Sequence, residues 1–383
     1  MPSARLMVVG DLILEEPEPG ACFAPSAGLL RTADLLVGNV EVPHTTRGEP
    51  QRTAVPALPA APAHLAALRD AGFHVGTLAA NHVYDLGEEG VADTRDGLLA
   101  HGVRPVGAGA TLAEAREPAV LTTAGVRWGV LAYNCVGPEL SWASPTKGGC
   151  AHIRMLTADG RIHDVRVAGH DDAAAAVAAA GAARPHPEDL AALRTDVEAL
   201  RDRVDVLVVA FHKGMVHTPA VVLEYERTVA HAAIDAGADV VVGHHAHILR
   251  GIEVHRGRPI FHGLGNWVTV TRALDVADND DPGRLAWSRR RRELFGFDPD
   301  PAMPTYPFHP ESRHTMIGTV DLHEDGSLRA GFVPCWIDDA ARPVPCSPTG
   351  DGRATADYVR DISARAGFST TFTPDESEVT VHL

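Results

Sequence analysis

Apolar residues in this chain come in short unbroken runs, and almost every run stops at a glycine, an amide or a charged side chain. The runs are LMVVGD (6–11), ADLLVGNVE (33–41), HVGTLAANH (74–82), WGVLAYN (128–134), VDVLVVAFHKG (204–214) and ADVVVGHH (238–245). Runs without alternation predict strands buried on both faces. Between them, AHLAALRDAG (63–72), EEGVADTRDGLLAHG (88–102), PEDLAALRTDVEALRDR (187–203) and LEYERTVAHAAIDAG (223–237) carry the helical period. Gly72, Gly102 and Gly237 fall where left-handed helix caps belong. Strand, polar loop and helix thus repeat, which predicts a layered α/β protein.

After residue 258 the pattern changes. PIFHGLGNWV (259–268), HTMIGTVDL (314–322) and SLRAGFVPCWI (327–337) read as strands joined by turns, antiparallel pieces of a second sheet on the same core. Two segments read as inserts, lids or long surface loops. Residues 138–186 contain the low-complexity stretch DDAAAAVAAAGAAR, and 272–312 is rich in Asp, Pro and Arg. No internal repeat is present, so residues 1–383 are expected to form one domain with the inserts over one end of the sheets.

Composition narrows the function classes. A formal charge of −16 argues against nucleic acid or an anionic membrane as partner, and the one basic block, Arg289 to Arg292, is expected in a solvated surface loop. Five widely spaced cysteines without a Cys-x-x-Cys suggest neither a disulfide framework nor a thiolate zinc site. The apolar run at the N-terminus stops at Asp11, too short for a secretory or membrane-spanning segment, so a soluble cytoplasmic protein is expected. Oligomeric state is not legible.

The chemistry sits at the strand ends. Asp11, Asn39, Glu41, Asn81, His82, His212, His244, His245 and His247 all follow apolar runs, and open α/β sheets bind ligands where such ends converge. Imidazole, carboxylate and amide oxygen together suit Mn²⁺, Fe²⁺ or Zn²⁺, or with more water Ca²⁺ or Mg²⁺. No organic cofactor is indicated.

The order GD (10–11), NVEVP (39–43), AANHVYDLGEEGVADT (79–94), FHKG (211–214) and GADVVVGHHAHILRGIEVHRGRPIFHGLGNW (237–267) closely resembles the CapA proteins, named for capsule and poly-γ-glutamate synthesis. PTYPFHPESRHTMI (304–317) looks similar too. These proteins belong to the calcineurin-like metallophosphoesterase superfamily. The resemblance implies a two-sheet α/β/β/α sandwich with a metal centre at the top edge of the sheets. By position it implies Glu41 as the bridging acid, Asn81 as amide ligand, His212 and His245 as histidine ligands, His247 as the second member of a His-x-His pair, Asp11 as the first acid and His82 as general acid. One departure stands out. The superfamily's Asp-x-His is here Asp11, Leu12, Ile13, so one ion position lacks a histidine. Glu41, Asn81, His212 and His245 are then expected to hold one ion, with Asp11 and His247 free to act as an acid/base pair. His82 and Asp85, three apart, supply a second such pair. Lys213, His217, His244 and Arg250 are expected to line the pocket and bind substrate.

Three functions fit. Hydrolysis of a phosphate ester or amide needs ion-assisted charge stabilisation and a proton for the leaving group. Epimerisation at the C-terminal α-carbon of a ribosomally made (lasso) precursor peptide needs acid/base groups on both faces of one cation. The CapA-like branch includes such a lasso-peptide epimerase. The resemblance makes this the named expectation because it accounts for Ile13 and the unanchored chain together, with a peptide as partner. The third is a non-enzymatic accessory role in poly-γ-glutamate assembly.

Overall fold

The computed structural model describes residues 4–51, 59–156, 162–163, 178, 180–272 and 282–383. In chain order the main elements are β1 (Ala4–Leu14), β2 (Leu35–Val40), α1 (Ala66–Ala71), β3 (Val75–Thr77), α2 (Gly87–Ala100), β4 (Arg104–Val106), β5 (Ala119–Thr123), β6 (Val126–Asn134), α3 (Pro187–Arg201), β7 (Val206–His212), α4 (Glu224–Asp235) and β8 (Val240–His244). They continue with β9 (Ile252–His255), β10 (Arg258–Phe261), β11 (Asn266–Val270), α5 (Pro282–Phe295), β12 (His314–Leu322), β13 (Leu328–Ile337), β14 (Pro343–Pro345), α6 (Arg353–Arg365), β15 (Phe372–Pro374) and β16 (Val379–Val381).

A ten-stranded sheet runs β15-β16-β13-β12-β1-β2-β3-β4, with β11 on β1 and β14 on β13, and a six-stranded sheet runs β9-β10-β8-β7-β6-β5. The β7 sequence shows how the layers form. Val206, Val208 and Ala210 enter the core between the sheets with Val8 and Val37. Leu207, Val209 and Phe211 point the other way, under Leu193 and Val197 of α3 and Val229 of α4. An unbroken apolar run is therefore two alternating faces, each covered, as expected for parallel strands. Leu68 of α1 and Leu98 of α2 cover the outer face of the larger sheet. The result is the α/β/β/α sandwich. Gly72, Gly102 and Gly237 take φ of +99°, +75° and +116° just past their helices, as the sequence predicted.

The late strands do not form a separate antiparallel sheet. β12 and β13 are antiparallel but extend the first sheet through β1, whereas β10 pairs in parallel with β8 and β11 in parallel with β1. PIFHGLGNWV crosses from one sheet to the other at His262 to Gly265. The Arg289 to Arg292 block lies in helix α5, not in a loop; Arg289 and Arg292 are exposed there. Most of the low-complexity stretch lies outside the described residues. All five cysteines are free, and among the described residues no helix is long and apolar enough to cross a membrane.

Candidate metal centre

Register places the polar strand ends in two facing rows. In the larger sheet Thr77, Asn39, Asp11 and Asn266 are neighbours across β3, β2, β1 and β11. In the smaller sheet Asn134, His212 and His244 are neighbours across β6, β7 and β8. A break in register at Asp11 marks a bulge in β1, which re-aims the carboxylate. The chain there is tightly held: Asp11 N donates to Gly265 O at 3.0 Å, and a Cβ on Gly10 would come 2.0 Å from that same oxygen.

Glu41 lies one residue past β2, at 0% exposure, and neither of its carboxylate oxygens has a hydrogen-bond partner. A buried ionised carboxylate without hydrogen bonds is costly unless positive charge, from a metal ion or a protonated imidazole, meets it. The ligand-type atoms around it form two groups that share Glu41: Glu41 with His212 and His245, and Glu41 with Asp11 and His247. His212 Nε2 lies 2.7 Å from Asn81 Oδ1, 3.1 Å from His245 Nδ1 and 3.7 Å from Glu41 Oε1. His247 Nε2 lies 3.5 Å from Glu41 Oε1 and its Nδ1 lies 3.5 Å from Asp11 Oδ2. Lone-pair donors of mixed O and N type gathered at these spacings suit a borderline divalent ion. The residues present therefore fit one or two such ions, even though Ile13, two residues past Asp11, offers no ligand atom.

Neighbours orient the donors. Asn39 Nδ2 donates to Asp11 Oδ1 at 2.9 Å and lies 3.4 Å from His212 Nδ1, while Thr77 Oγ1 donates to Asn39 Oδ1 at 2.9 Å. His247 Nδ1 lies 2.9 Å from Asn266 Oδ1, and Asn266 in turn donates to Tyr306 Oη at 3.0 Å. His245 and His247 adopt φ of +89° and +51°. Two non-glycine residues in the left-handed region within three positions is backbone strain held at a site.

The electrostatics follow from burial and crowding. Burial, and then the Glu41 charge, push Asp11 up to about 7. Burial alone would raise Glu41 too, but His247 and His212 outweigh it and hold Glu41 at about 2. Burial opposes protonation of His247, yet Glu41 and Asp11 raise it to about 9, whereas burial takes His212 down to about 3. Without an ion, a protonated imidazole thus neutralises the carboxylates.

His82 Nδ1 lies 2.7 Å from Asp85 Oδ2, both residues being buried at the rim. The first insert packs on this rim: the Lys147 ammonium sits 4.6 Å above the Tyr84 ring and Gly148 N donates to Glu88 at 3.2 Å. The second insert packs on the other side. Phe295 and Phe297 each place their rings 5.0 Å from His217, and Phe308 lies 4.9 Å from His247.

Three expected substrate contacts are misplaced. Lys213 and Arg250 are 0% exposed. Lys213 Nζ bonds Glu226 at 3.1 Å and lies 3.0 Å from His262 Nδ1, and Arg250 donates to Met215 O. His244 is buried with Nε2 3.1 Å from Val9 O. Lys213, one position past the end of β7, turns to Glu226 and His262, whereas His244, the register neighbour of His212, faces the other sheet and spends its ring on Val9 O. His217 alone of the four stays partly exposed beside His247. Asn39, to which the sequence assigns no role, ends an apolar run two residues before Glu41, which is the signal that could have found it; Asn266 opens β11 between Gly265 and Trp267 and carries no such mark.

Two sheets with ligand-type side chains gathered at their common edge define an α/β/β/α sandwich with a candidate metal site at that edge. The chain belongs to the family described as bacterial capsule synthesis protein PGA_cap, which matches residues 5–271. Among relatives, a probable polyglutamine synthesis accessory protein of Mycobacterium tuberculosis is 35% identical over 51% of this chain and 45% of its own length. The PGA biosynthesis protein CapA of Bacillus subtilis is 27% identical over 68% of this chain and 62% of its own. The chain thus spans about half to two thirds of the length of these relatives. Among solved structures, a hypothetical protein of Thermus thermophilus aligns over 89% of this chain and 96% of its own, at a TM-score of 0.42 and 15% identity. A calcineurin-like phosphoesterase of Bacillus subtilis aligns over 95% and 97%, at 0.38 and 11%.

Proposed function

We propose that this protein is a divalent-metal-dependent enzyme serving peptide-polymer or capsule synthesis, and that it hydrolyses an ester or amide bond at the Glu41 centre. The observation that carries the reading is Glu41 itself, a fully buried carboxylate without hydrogen bonds at the vertex of two ligand-type groups. Glu41, Asn81, His212 and His245 would hold one cation, and Asp11, His247 and Glu41 a second. A bound cation supplies positive charge against the negative charge that develops on the reacting group. His82, oriented by Asp85, gives a proton to the leaving atom from the rim, and Asn39 and Asn266 keep Asp11 and His247 in place. The relatives named for polyglutamine and PGA synthesis support a peptide partner, and five free cysteines suit a reducing cytoplasm.

A second reading, epimerisation of the C-terminal residue of a peptide, is supported by the two His/carboxylate pairs, His82 with Asp85 at 2.7 Å and His247 with Asp11 at 3.5 Å. One experiment separates them. Manganese-loaded protein is incubated in D₂O with peptides bearing free C-termini and with phosphate esters, and the products are read by mass spectrometry. Cleavage products support hydrolysis, and one deuterium at the terminal α-carbon supports epimerisation. In either case His82→Ala should keep its metal and lose about 10²- to 10⁴-fold in turnover. Glu41→Gln should lose metal and activity together; metal retained by Glu41→Gln would refute the centre.

A further inference from the structure

Behind the histidines lies a cluster of charged groups that no ligand can reach. Lys213, Glu226 and Arg250 are each at most 1% exposed. Lys213 follows His212, and its ammonium bonds Glu226 Oε2 at 3.1 Å and His262 O at 3.3 Å. Arg250 closes the loop that carries His245 and His247, and its guanidinium reaches across to Met215 O in the loop after His212. Its Nη1 stands 4.0 Å from Glu226 Oε1, and Nη1 and Nε have no hydrogen-bond partner. Glu226 Oε1 also accepts from Leu223 N at 3.0 Å, at the start of α4. Backbone bonds complete the clamp: Lys213 N donates to His244 O at 3.1 Å, Gly214 N to Tyr225 Oη at 2.8 Å and His217 N to Ala246 O at 2.8 Å.

The packing leaves room for this cluster and little else. A Cβ on Gly214 would come 2.7 Å from Glu226 Oε2, and one on Gly263 would come 2.6 Å from Arg250 Cγ. Two buried cations on one carboxylate, with guanidinium donors left unpaired, make a poor stabilising device, because well-packed apolar side chains of similar volume commonly do as well or better. What the cluster does supply is a fixed relation between two loops. One bears His212 and His217, the other His245 and His247, and the left-handed conformation of three of these residues needs an external hold.

We infer that Lys213, Glu226 and Arg250 are positioning residues for the metal centre, acting through the loops rather than on substrate. The inference rests on the metal-centre reading above. Its test is Mn²⁺ affinity, measured by competition with a fluorescent chelator, alongside thermal melting. The apolar triple variant Lys213→Met, Glu226→Leu, Arg250→Met should melt at or above the wild-type temperature and bind Mn²⁺ about 10- to 100-fold more weakly, the range typical when groups supporting metal ligands are lost. Arg250→Lys keeps the charge but loses the Nη2 bond to Met215 O, so it should fold and show a weakening in the same direction. Wild-type affinity in either folded variant would overturn the inference and leave the centre intact. A wild-type protein that binds no Mn²⁺, or binds it equally well as Glu41→Gln, would overturn the centre and the inference with it.

Discussion

His247, and Asp11 in part, hold protons that a cation would displace. With His247 raised to about 9 and Asp11 to about 7, the ion-free centre at pH 7 holds His247 protonated and Asp11 roughly half protonated. Loading the Asp11, Glu41, His247 position must release both, so affinity rises with pH up to about 9 and levels off above it. Calorimetry in buffers of different ionisation enthalpy should count between one and two protons released per ion at pH 7. No release would mean that the cation sits at the Glu41, His212, His245 position alone, where burial already keeps His212 at about 3 and unprotonated. At this scale the sequence was informative about which residue types gather, since a polar residue at the end of a buried run has few other reasons to be there. It was silent on direction. Lys213 and Arg250 look like substrate contacts on paper and are buried in the fold: Lys213 falls one position past the end of β7 and turns to Glu226, and Arg250 sits in a loop whose path no local pattern dictates.

The elements show a similar split. Six apolar runs and four helical patterns were readable because burial on two faces and the helical period leave direct marks on composition. Partnership between strands was not, since the same run suits any neighbour. β1 illustrates the difficulty: it pairs with β2 along one side and with β12 and then β11 along the other. Nothing local to residues 4–14 announces that exchange except Gly10. Gly10→Ala would drive a methyl group onto Gly265 O, and Gly243→Ala would place one 2.1 Å from His262 O. Each should cost about 1–3 kcal/mol or more in urea unfolding through forced backbone shifts. Gly10→Ala should in addition weaken metal binding, because it displaces Asp11. A Gly10→Ala protein with unchanged metal affinity would show that the bulge does not aim the carboxylate.

Across the whole molecule, burial keeps several histidines neutral. His44 is lowered to about 3, and His244 and His262 to about 4, all chiefly by loss of solvation. A base whose folded pKa is depressed leaves the unfolded chain to take up the proton first, so its stability contribution is full above about 6.5 and falls as pH drops toward the folded value. Each group can steepen the loss by up to about 1.4 kcal/mol per pH unit in that window. Urea unfolding should therefore weaken sharply from pH 6.5 to 4.5, and His44→Asn should flatten the slope by one proton. A profile level to pH 4.5 would show that these rings are protonated in the native state. Divalent metal at 100 times its Kd should add about 2.7 kcal/mol, removable by chelator.

The register that sets Asp11 beside Asn266 has a consequence for how the protein is made. Asp11 is synthesised about 200 residues or more ahead of its neighbours on β7, β8 and β11. Contacts this distant along the chain form late and slowly, so a nascent chain arrested before Asn266 should carry strands and helices yet capture no metal. Metal uptake would then report completed assembly of the two sheets, and chains released early would lack both the ion and its stabilisation.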